Sequence, residues 1–378
     1  MKNKVSGWWI IVGLLGVVLI GLIVFYINYN KIVVKPNKVK EDTSLTLTVT
    51  PTPDPLAPYS ILLLGYGGGK HEGGVLTDSI MVAKINPKNE SINLISVPRD
   101  LWVSIPIDNE EVINKKINEA FLIGFDDKKY PNKKIEFTGE AGGGEMAKEV
   151  IGKVVGFKID YFTSIDFDGF VKIIDILGGI DVTVPYSWED TKYPLETNIN
   201  DSCGKTDEEI TALTATMSGE KLEDQFMCRY ETLKFEKGKN HLDGITALKY
   251  TRSRHSKTNG GDFNRAERQK QIITATRDKV VNIGFVTKII PTINTLTRHI
   301  KTDINISKMG EFVSKFAEIS KYKINSIALT DQNVLMNSKS NLGQFILIPK
   351  AGENNWEEIH LFIENEGTTT PPTIDNQN

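Results

Sequence analysis

The longest uninterrupted apolar run in the chain lies at its start. From Ser6 to Asn28 the stretch SGWWIIVGLLGVVLIGLIVFYIN holds no charged residue. At ~1.5 Å per residue it reaches ~30 Å, the thickness of a bilayer's hydrocarbon core. Trp8 and Trp9 stand near one end and Tyr26 and Tyr29 near the other, as interfacial aromatics do. The run exceeds a usual signal-peptide core, and no small-residue cleavage pattern follows it. The pattern therefore predicts a short tail over 1–6 and one uncleaved transmembrane helix over 7–28. Orientation is contradictory at this level. Lys2 and Lys4 precede the span whereas Lys31, Lys35, Lys38 and Lys40 follow it, which by charge counting places the rest of the chain in the cytoplasm. The Thr/Pro-rich stretch EDTSLTLTVTPTPDPLAP, within a tether over 29–57, instead reads as the spacer of an extracytoplasmic domain.

Beyond the tether the period changes. YSILLLG is a buried-strand run, DSIMVAKINP and SINLISVP are two further strands, and Asn86-Pro87-Lys88-Asn89 is the turn of a hairpin between them. Residues 159–185 predict strand, helix and strand, with Gly178-Gly179 ending the helix. ISKMGEFVSKFAEIS has a helical period, INSIALT and GQFILIP read as strands, and NNWEEIHLFIEN as a final helix. Helices and strands thus share one α/β core over 58–365, with a disordered tail over 366–378. The tract 186–239 is polar and reads as an excursion from that core. It carries both cysteines, Cys203 and Cys228. A bridge would close a loop of about 26 residues and contribute ~3 kcal/mol, and two free thiols are the alternative.

Charge and motif content remove several function classes. Among 378 residues the formal net charge is −3, against a general nucleic-acid binder. Two cysteines are too few for a paired CxxC zinc site. The glycine run LLLGYGGGKHEGG lacks the Ser/Thr of a P-loop and does not fit GxGxxG.

The basic residues that matter are local. TRSRHSKTNGGDFNRAERQKQ places Arg252, Arg254, Arg265 and Arg268 around Gly260-Gly261. A helix is predicted from Asp262 or Asn264, with Asn264 and Glu267 as a capping-box pair. Arg265 in its first turn is unfavourable beside the helix dipole unless an anion binds there. Arg265, Arg268 and Gln269 share one face, which continues into Ile272, Ile273 and Thr276. Arg252 and Arg254, two apart in LKYTRSRH, would point to one side of a strand. Four planar donors around one helix start suit a diphosphate. The bland alternative is surface pairing with Asp262 and Glu267. Arg99 and Asp100 follow a strand in ISVPRDLWVSIP, where α/β sheets present ligands. Asp78 stands at a strand start in LTDSIMV, where a carboxylate can join Mg²⁺ and substrate phosphates.

These blocks, in the order ILLLG, TDSIMV, ISVPRDLWVSIP, KINEAF, IDYFTSIDFDGFVKIIDILGGIDVTVP, HLDGITALKYTRSRH and GDFNRAERQKQ, resemble the LytR-CpsA-Psr family over most of residues 58–285. The resemblance implies a central mixed β-sheet flanked by helices, an α-β-α sandwich with an apolar lipid pocket. It further implies a single-pass membrane protein whose domain lies outside. The implied activity moves a glycopolymer from a polyprenyl-diphosphate carrier to peptidoglycan through a phosphodiester, with Mg²⁺. Arg99, Arg252, Arg254, Arg265 and Gln269 would then grip the diphosphate, with Arg268 helping and Lys116 as another phosphate contact. Asp78 would be the Mg²⁺-linked or catalytic carboxylate, and Asp78 and Asp100 are both candidates for the activating base. One position departs from the family: where members carry LGxD, this chain has Gly67, with His71 or Glu72 as substitutes. Two other functions fit the same residues, a polyprenyl-diphosphate hydrolase and a non-catalytic lipid-carrier-binding envelope protein.

Overall fold

In the computed structural model, which describes residues 29–37, 54, 56–69, 74–282 and 293–368, strand β1 (Tyr59–Tyr66) occupies the middle of the molecule. Its side chains alternate between faces. Leu62 and Leu64, 0% and 1% exposed, enter one face of the sheet, whereas Ile61 and Leu63 stay half-buried on the other. β2 (Thr77–Asn86) and β3 (Ser91–Ser96) form the expected hairpin. The Asn86 side chain accepts from the N–H groups of Lys88 at 3.1 Å and Asn89 at 3.3 Å, and Glu90 closes the turn at a left-handed φ of 48°.

An accessory hairpin, β4 (Trp102–Pro106) and β5 (Val112–Lys116), leads to helices α1 (Glu119–Phe125) and α2 (Gly142–Val155). Then come β6 (Tyr161–Asp166), α3 (Phe167–Ile176) and β7 (Ile180–Val184), as the 159–185 pattern predicts. Asp166 caps α3 by accepting from the Gly169 N–H at 2.7 Å, and Gly178 and Gly179 end it at φ of 75° and 76°. β7 does not join the main sheet but pairs with β10 (Gly238–Leu242) in a separate ribbon.

The tract 186–239 is less of an excursion than its polarity suggests. β8 (Trp188–Pro194) and β9 (Tyr230–Phe235) pair with each other, and Trp188, Tyr193, Leu233 and Phe235 enter a second apolar core. The excursion proper is residues 195–229, which hold helix α4 (Asp207–Thr216) and a Cys203–Cys228 disulfide. After β10 (Gly238–Leu242) the chain forms α5 (Gly244–Arg252) and α6 (Gly261–Asn282), then β11 (Ile300–Thr302), α7 (Ile306–Ile319), β12 (Lys323–Ala328), the hairpin β13 (Leu335–Lys339) and β14 (Phe345–Pro349), and α8 (Glu357–Thr368). The final helix therefore takes in the first three residues of the expected tail, 366–368.

The main sheet has the order β11-β6-β1-β2-β3-β12 and is mixed: β1 runs parallel to β6 and β12 to β3, the other pairs antiparallel. Leu62, Leu64, Val82 and Ile95 on one face pack with Met146, Val150 and Val154 of α2. On the other face Met81, Ala83 and Leu94 meet Ile273 of α6.

The Ser6–Asn28 stretch lies outside the described residues; among those described, no helix is long and apolar enough to cross a membrane. The first part of the expected tether is docked on the domain. Val33 and Val34 are buried, Val34 N–H donates to the Thr302 carbonyl at 2.9 Å, and Asn37 Nδ2 donates to Thr138 Oγ1 at 3.0 Å.

Candidate functional site

Between α6 and the sheet lies a cavity of about 680 Å³. Its lining is mainly apolar, with Leu63 and Met81 from the sheet, Phe170 and Ile173 from α3, and Ile272 and Ile273 from α6. Among its polar residues are Asp78, Arg99, Arg252, Arg254, Arg265 and Gln269. Six residues singled out in four separate sequence blocks thus line one space.

They arrive there by routes that differ in part from the expected ones. Arg252 ends a helix rather than lying in a strand: Asp243 caps α5 by accepting from the Thr246 N–H at 2.7 Å, and Ala247 and Tyr250 are buried at helical spacing. Arg254 follows in the loop. Helix α6 starts at Gly261, so Arg265 lies about one turn inside it. The Asn264–Glu267 capping box is not formed, because Asn264 Nδ2 donates to the Gly260 carbonyl at 2.8 Å and Glu267 pairs with Lys270 at 2.9 Å.

Arg268 is not at the cavity. It is 1% exposed, its Nε donates to the Tyr250 carbonyl at 3.0 Å, its Nη1 to the Asn259 carbonyl at 2.6 Å and its Nη2 to the Ser253 carbonyl. Burial pulls its pKa down to about 10, and its guanidinium lies 4.9 Å from the Trp188 ring centre. This arginine shapes the loop that carries Arg254 instead of facing a ligand. Lys116 and Asp100 also stand outside the cavity lining. Lys116 Nζ donates to Asp100 Oδ1 at 2.6 Å, Asp100 Oδ2 meets Arg99 Nε at 3.5 Å, and Arg99 Nη1 donates to Asp78 Oδ1 at 2.5 Å. The four make one alternating chain of charge that ends at the cavity. Burial works against the Arg99 charge, but Asp78 and then Asp100 outweigh it and hold its pKa above the ordinary arginine value. Gln269 Nε2 donates to Ser79 Oγ at 3.2 Å, joining α6 to β2 beside Asp78.

Two carboxylates at the cavity escaped sequence reasoning. Asp190, 0% exposed, accepts from Ser253 Oγ at 2.6 Å, from the N–H groups of Arg254 and His255 at 3.0 Å, and from the Lys192 N–H at 2.9 Å. Burial alone would raise its pKa; these donors reverse the sign and lower it. Asp190 and Arg268, one anion and one cation, both hold the same loop. Their partners lie far along the chain, so no local pattern marked Asp190. Asp166 also lines the cavity, and its position as a helix cap was the signal that concealed it.

Asp78 uses Oδ1 for Arg99, and one protein carboxylate together with phosphate oxygens is an ordinary Mg²⁺ set. At Gly67 no acid stands, and His71 and Glu72 lie outside the described residues. Among the described residues the one grouping of three ligand-type side chains is Asp201, Cys203 and Cys228, whose sulfurs are joined to each other.

Comparison with known proteins gives a consistent result. The chain is 25% identical over 319 residues to the polyisoprenyl-teichoic acid–peptidoglycan teichoic acid transferase TagV of Bacillus subtilis, across 84% of this chain and 66% of that relative, just under two thirds of its length. It is 27% identical over 323 residues to the TagU transferase of Bacillus mycoides, across 84% of each. The crystal structure of B. subtilis TagV superposes with a TM-score of 0.51 at 25% identity, covering 84% of this chain and 99% of that one. Protein gbs0355 of Streptococcus agalactiae superposes with a TM-score of 0.53 at 19% identity, covering 84% and 90%, a likeness of fold alone. The LytR_cpsA_psr family profile matches residues 23–356, most of the chain, and the protein belongs to that family.

Proposed function

We propose that this protein transfers a teichoic-acid-like glycopolymer from a polyprenyl-diphosphate carrier to peptidoglycan, forming a phosphodiester. The observation that carries this reading is the joining, in one cavity, of an apolar interior with Arg99, Arg252, Arg254, Arg265 and Gln269. A polyprenyl diphosphate is amphiphilic in the same way. The lipid lies between α6 and the sheet, and the diphosphate takes bidentate, charge-assisted hydrogen bonds from the guanidinium groups. The names of the TagV and TagU relatives supply the polymer class and the acceptor.

In the reaction, a peptidoglycan hydroxyl attacks the phosphorus bonded to the glycan, and the bond from that phosphorus to the bridging oxygen breaks. Polyprenyl phosphate leaves with the electron pair. The arginines stabilise the charge that develops on the phosphoryl oxygens. A Mg²⁺ ion held by Asp78 and phosphate oxygens would neutralise part of that charge. Arg268, Asp100 and Lys116 act by holding other residues, not the ligand.

Ser6–Asn28 serves as a single-pass anchor in the cell membrane, and residues 58–365 form one domain on its outer side. The Cys203–Cys228 disulfide supports that side, because disulfides persist in oxidising compartments, and it outweighs the lysine count around the span. The test uses the full chain in detergent with a polyprenyl-diphosphate-linked glycan, a peptidoglycan fragment and Mg²⁺. A joined phosphodiester product is expected. Release of the glycan phosphate with no joined product identifies a hydrolase, and tight binding without turnover identifies a carrier-binding protein; either overturns the reading.

A further inference from the structure

A hydroxyl must lose a proton as it attacks phosphorus, and the carboxylates near the cavity differ in how far they are already committed. Asp78 is paired with Arg99, Asp100 with Lys116 and Arg99, and Asp190 accepts four hydrogen bonds from the loop and strand it holds. Asp166 is held differently. Its Oδ1 takes the Gly169 N–H at 2.7 Å as the cap of α3, both oxygens face His299 Nδ1, at 2.9 and 2.8 Å, so Oδ2 has the histidine alone, and His299 Nε2 lies 2.6 Å from Lys172 Nζ. The lysine can only donate, so Nε2 accepts and Nδ1 carries the hydrogen that Asp166 receives. A neutral imidazole thus separates a carboxylate at the cavity from a cation behind it, and the three side chains come from different places in the fold: the end of β6, the second turn of α3, and the segment before β11.

Asp166 reaches the cavity at the end of the central strand, its side chain 13% exposed. In the sheet Asp166 is the parallel partner of Tyr66, at the end of β1, while Thr77, next to Asp78, pairs with Tyr66 from the other side. The two carboxylates therefore flank the end of the central strand. The chain leaves that strand through Gly67 and Gly68, and a Cβ on Gly68 would come within 3.3 Å of Asp166 Cβ and 3.6 Å of its Oδ2, in a backbone conformation, φ 90°, that disfavours a side chain. Glycine there keeps a further side chain from closing over the carboxylate.

Resting on the phosphotransfer reading above, we propose that Asp166 is the group that takes the proton of the attacking hydroxyl, with His299 and Lys172 as its positioning residues. The proton passes to Asp166 Oδ2 as the hydroxyl oxygen bonds to the glycan-side phosphorus. The phosphorus–bridging oxygen bond breaks onto polyprenyl phosphate, and Asp166 returns its proton to water once the product departs. Asp78 remains with Arg99 and the phosphates.

The test is Asp166→Asn in the full chain, because asparagine keeps the helix cap and the shape while losing the basic oxygen. Transfer to a peptidoglycan fragment falls ~10²–10⁴-fold, with thermal midpoint and prenyl-diphosphate affinity unchanged. With an acceptor fluorinated beside the attacking hydroxyl, which makes that hydroxyl more acidic, the loss becomes smaller. His299→Gln gives a lesser loss with the same dependence on acceptor acidity, and decides the matter if Asp166→Asn does not fold. Unchanged transfer, or one loss common to both acceptors, overturns the assignment. Failure of the unaltered protein to make any joined product would count against phosphotransfer itself.

Discussion

The two faces of the central sheet are made from the same strands and serve opposite ends. Toward α2, Leu62, Leu64, Val82 and Ile95 are closed over by helix side chains and nearly inaccessible. Toward α6, Leu63 and Met81, neighbours of those residues in sequence, wall the cavity. Alternation along a strand gives both faces apolar side chains, so composition does not separate them. What separates them is the covering helix. α2 brings Met146, Val150 and Val154 down onto its face. α6 brings Arg265 and Gln269 together with Ile272 and Ile273 and leaves space beneath. One face stabilises the fold; the other keeps apolar surface available for a ligand that is itself apolar.

The largest effect that would break this comparison is on stability. Leu64→Ala, on the closed face, should cost ~2–5 kcal/mol, read by denaturant unfolding, with prenyl-diphosphate affinity per folded molecule retained. Removing the Cys203–Cys228 bridge by double substitution to serine should cost ~3 kcal/mol and leave the cavity's affinity intact, because the bridged segment lies outside both faces. On the open face the signs reverse. Arg99→Ala or Arg265→Ala should weaken prenyl-diphosphate binding by ~1.5–3 kcal/mol each, measured by titration, with little change in melting temperature. The smallest effect is Leu63→Ala, which enlarges an existing cavity instead of opening one and should cost about 1 kcal/mol of stability, while lowering affinity for long prenyl chains more than for short ones. If Leu63→Ala destabilised as much as Leu64→Ala, the two faces would not differ as described.

Most of the open face could be read from sequence because its pattern is local. Arg265, Gln269, Ile272, Ile273 and Thr276 were expected on one stripe of a helix, and all five line the cavity. Arg268 was placed on that stripe as well, and helical geometry explains why it is not. At ~100° per residue it lies about 60° to one side of Arg265 while Gln269 lies about 40° to the other, and the boundary between cavity and core falls between them. A sequence pattern resolves a face but not where the face is divided. The parts that were not legible depend on distant pairings. Asp190 is tied to residues 253–255, Asp166 to His299, and the polar tract around Asp190 is a core hairpin whose partners are far along the chain. Arg252 was misassigned for a different reason: the LKYTRSRH window conceals the cap at Asp243 that starts a helix.

The bridge between Val33 and Thr302 bears on how the domain is carried. Four residues separate the end of the apolar stretch at Asn28 from that contact, so a domain suspended from a bilayer by this chain would have almost no play. It would stand at a set height and bearing, like a fixture on a short post, and a carrier diffusing in the lipid would meet the same side of it each time.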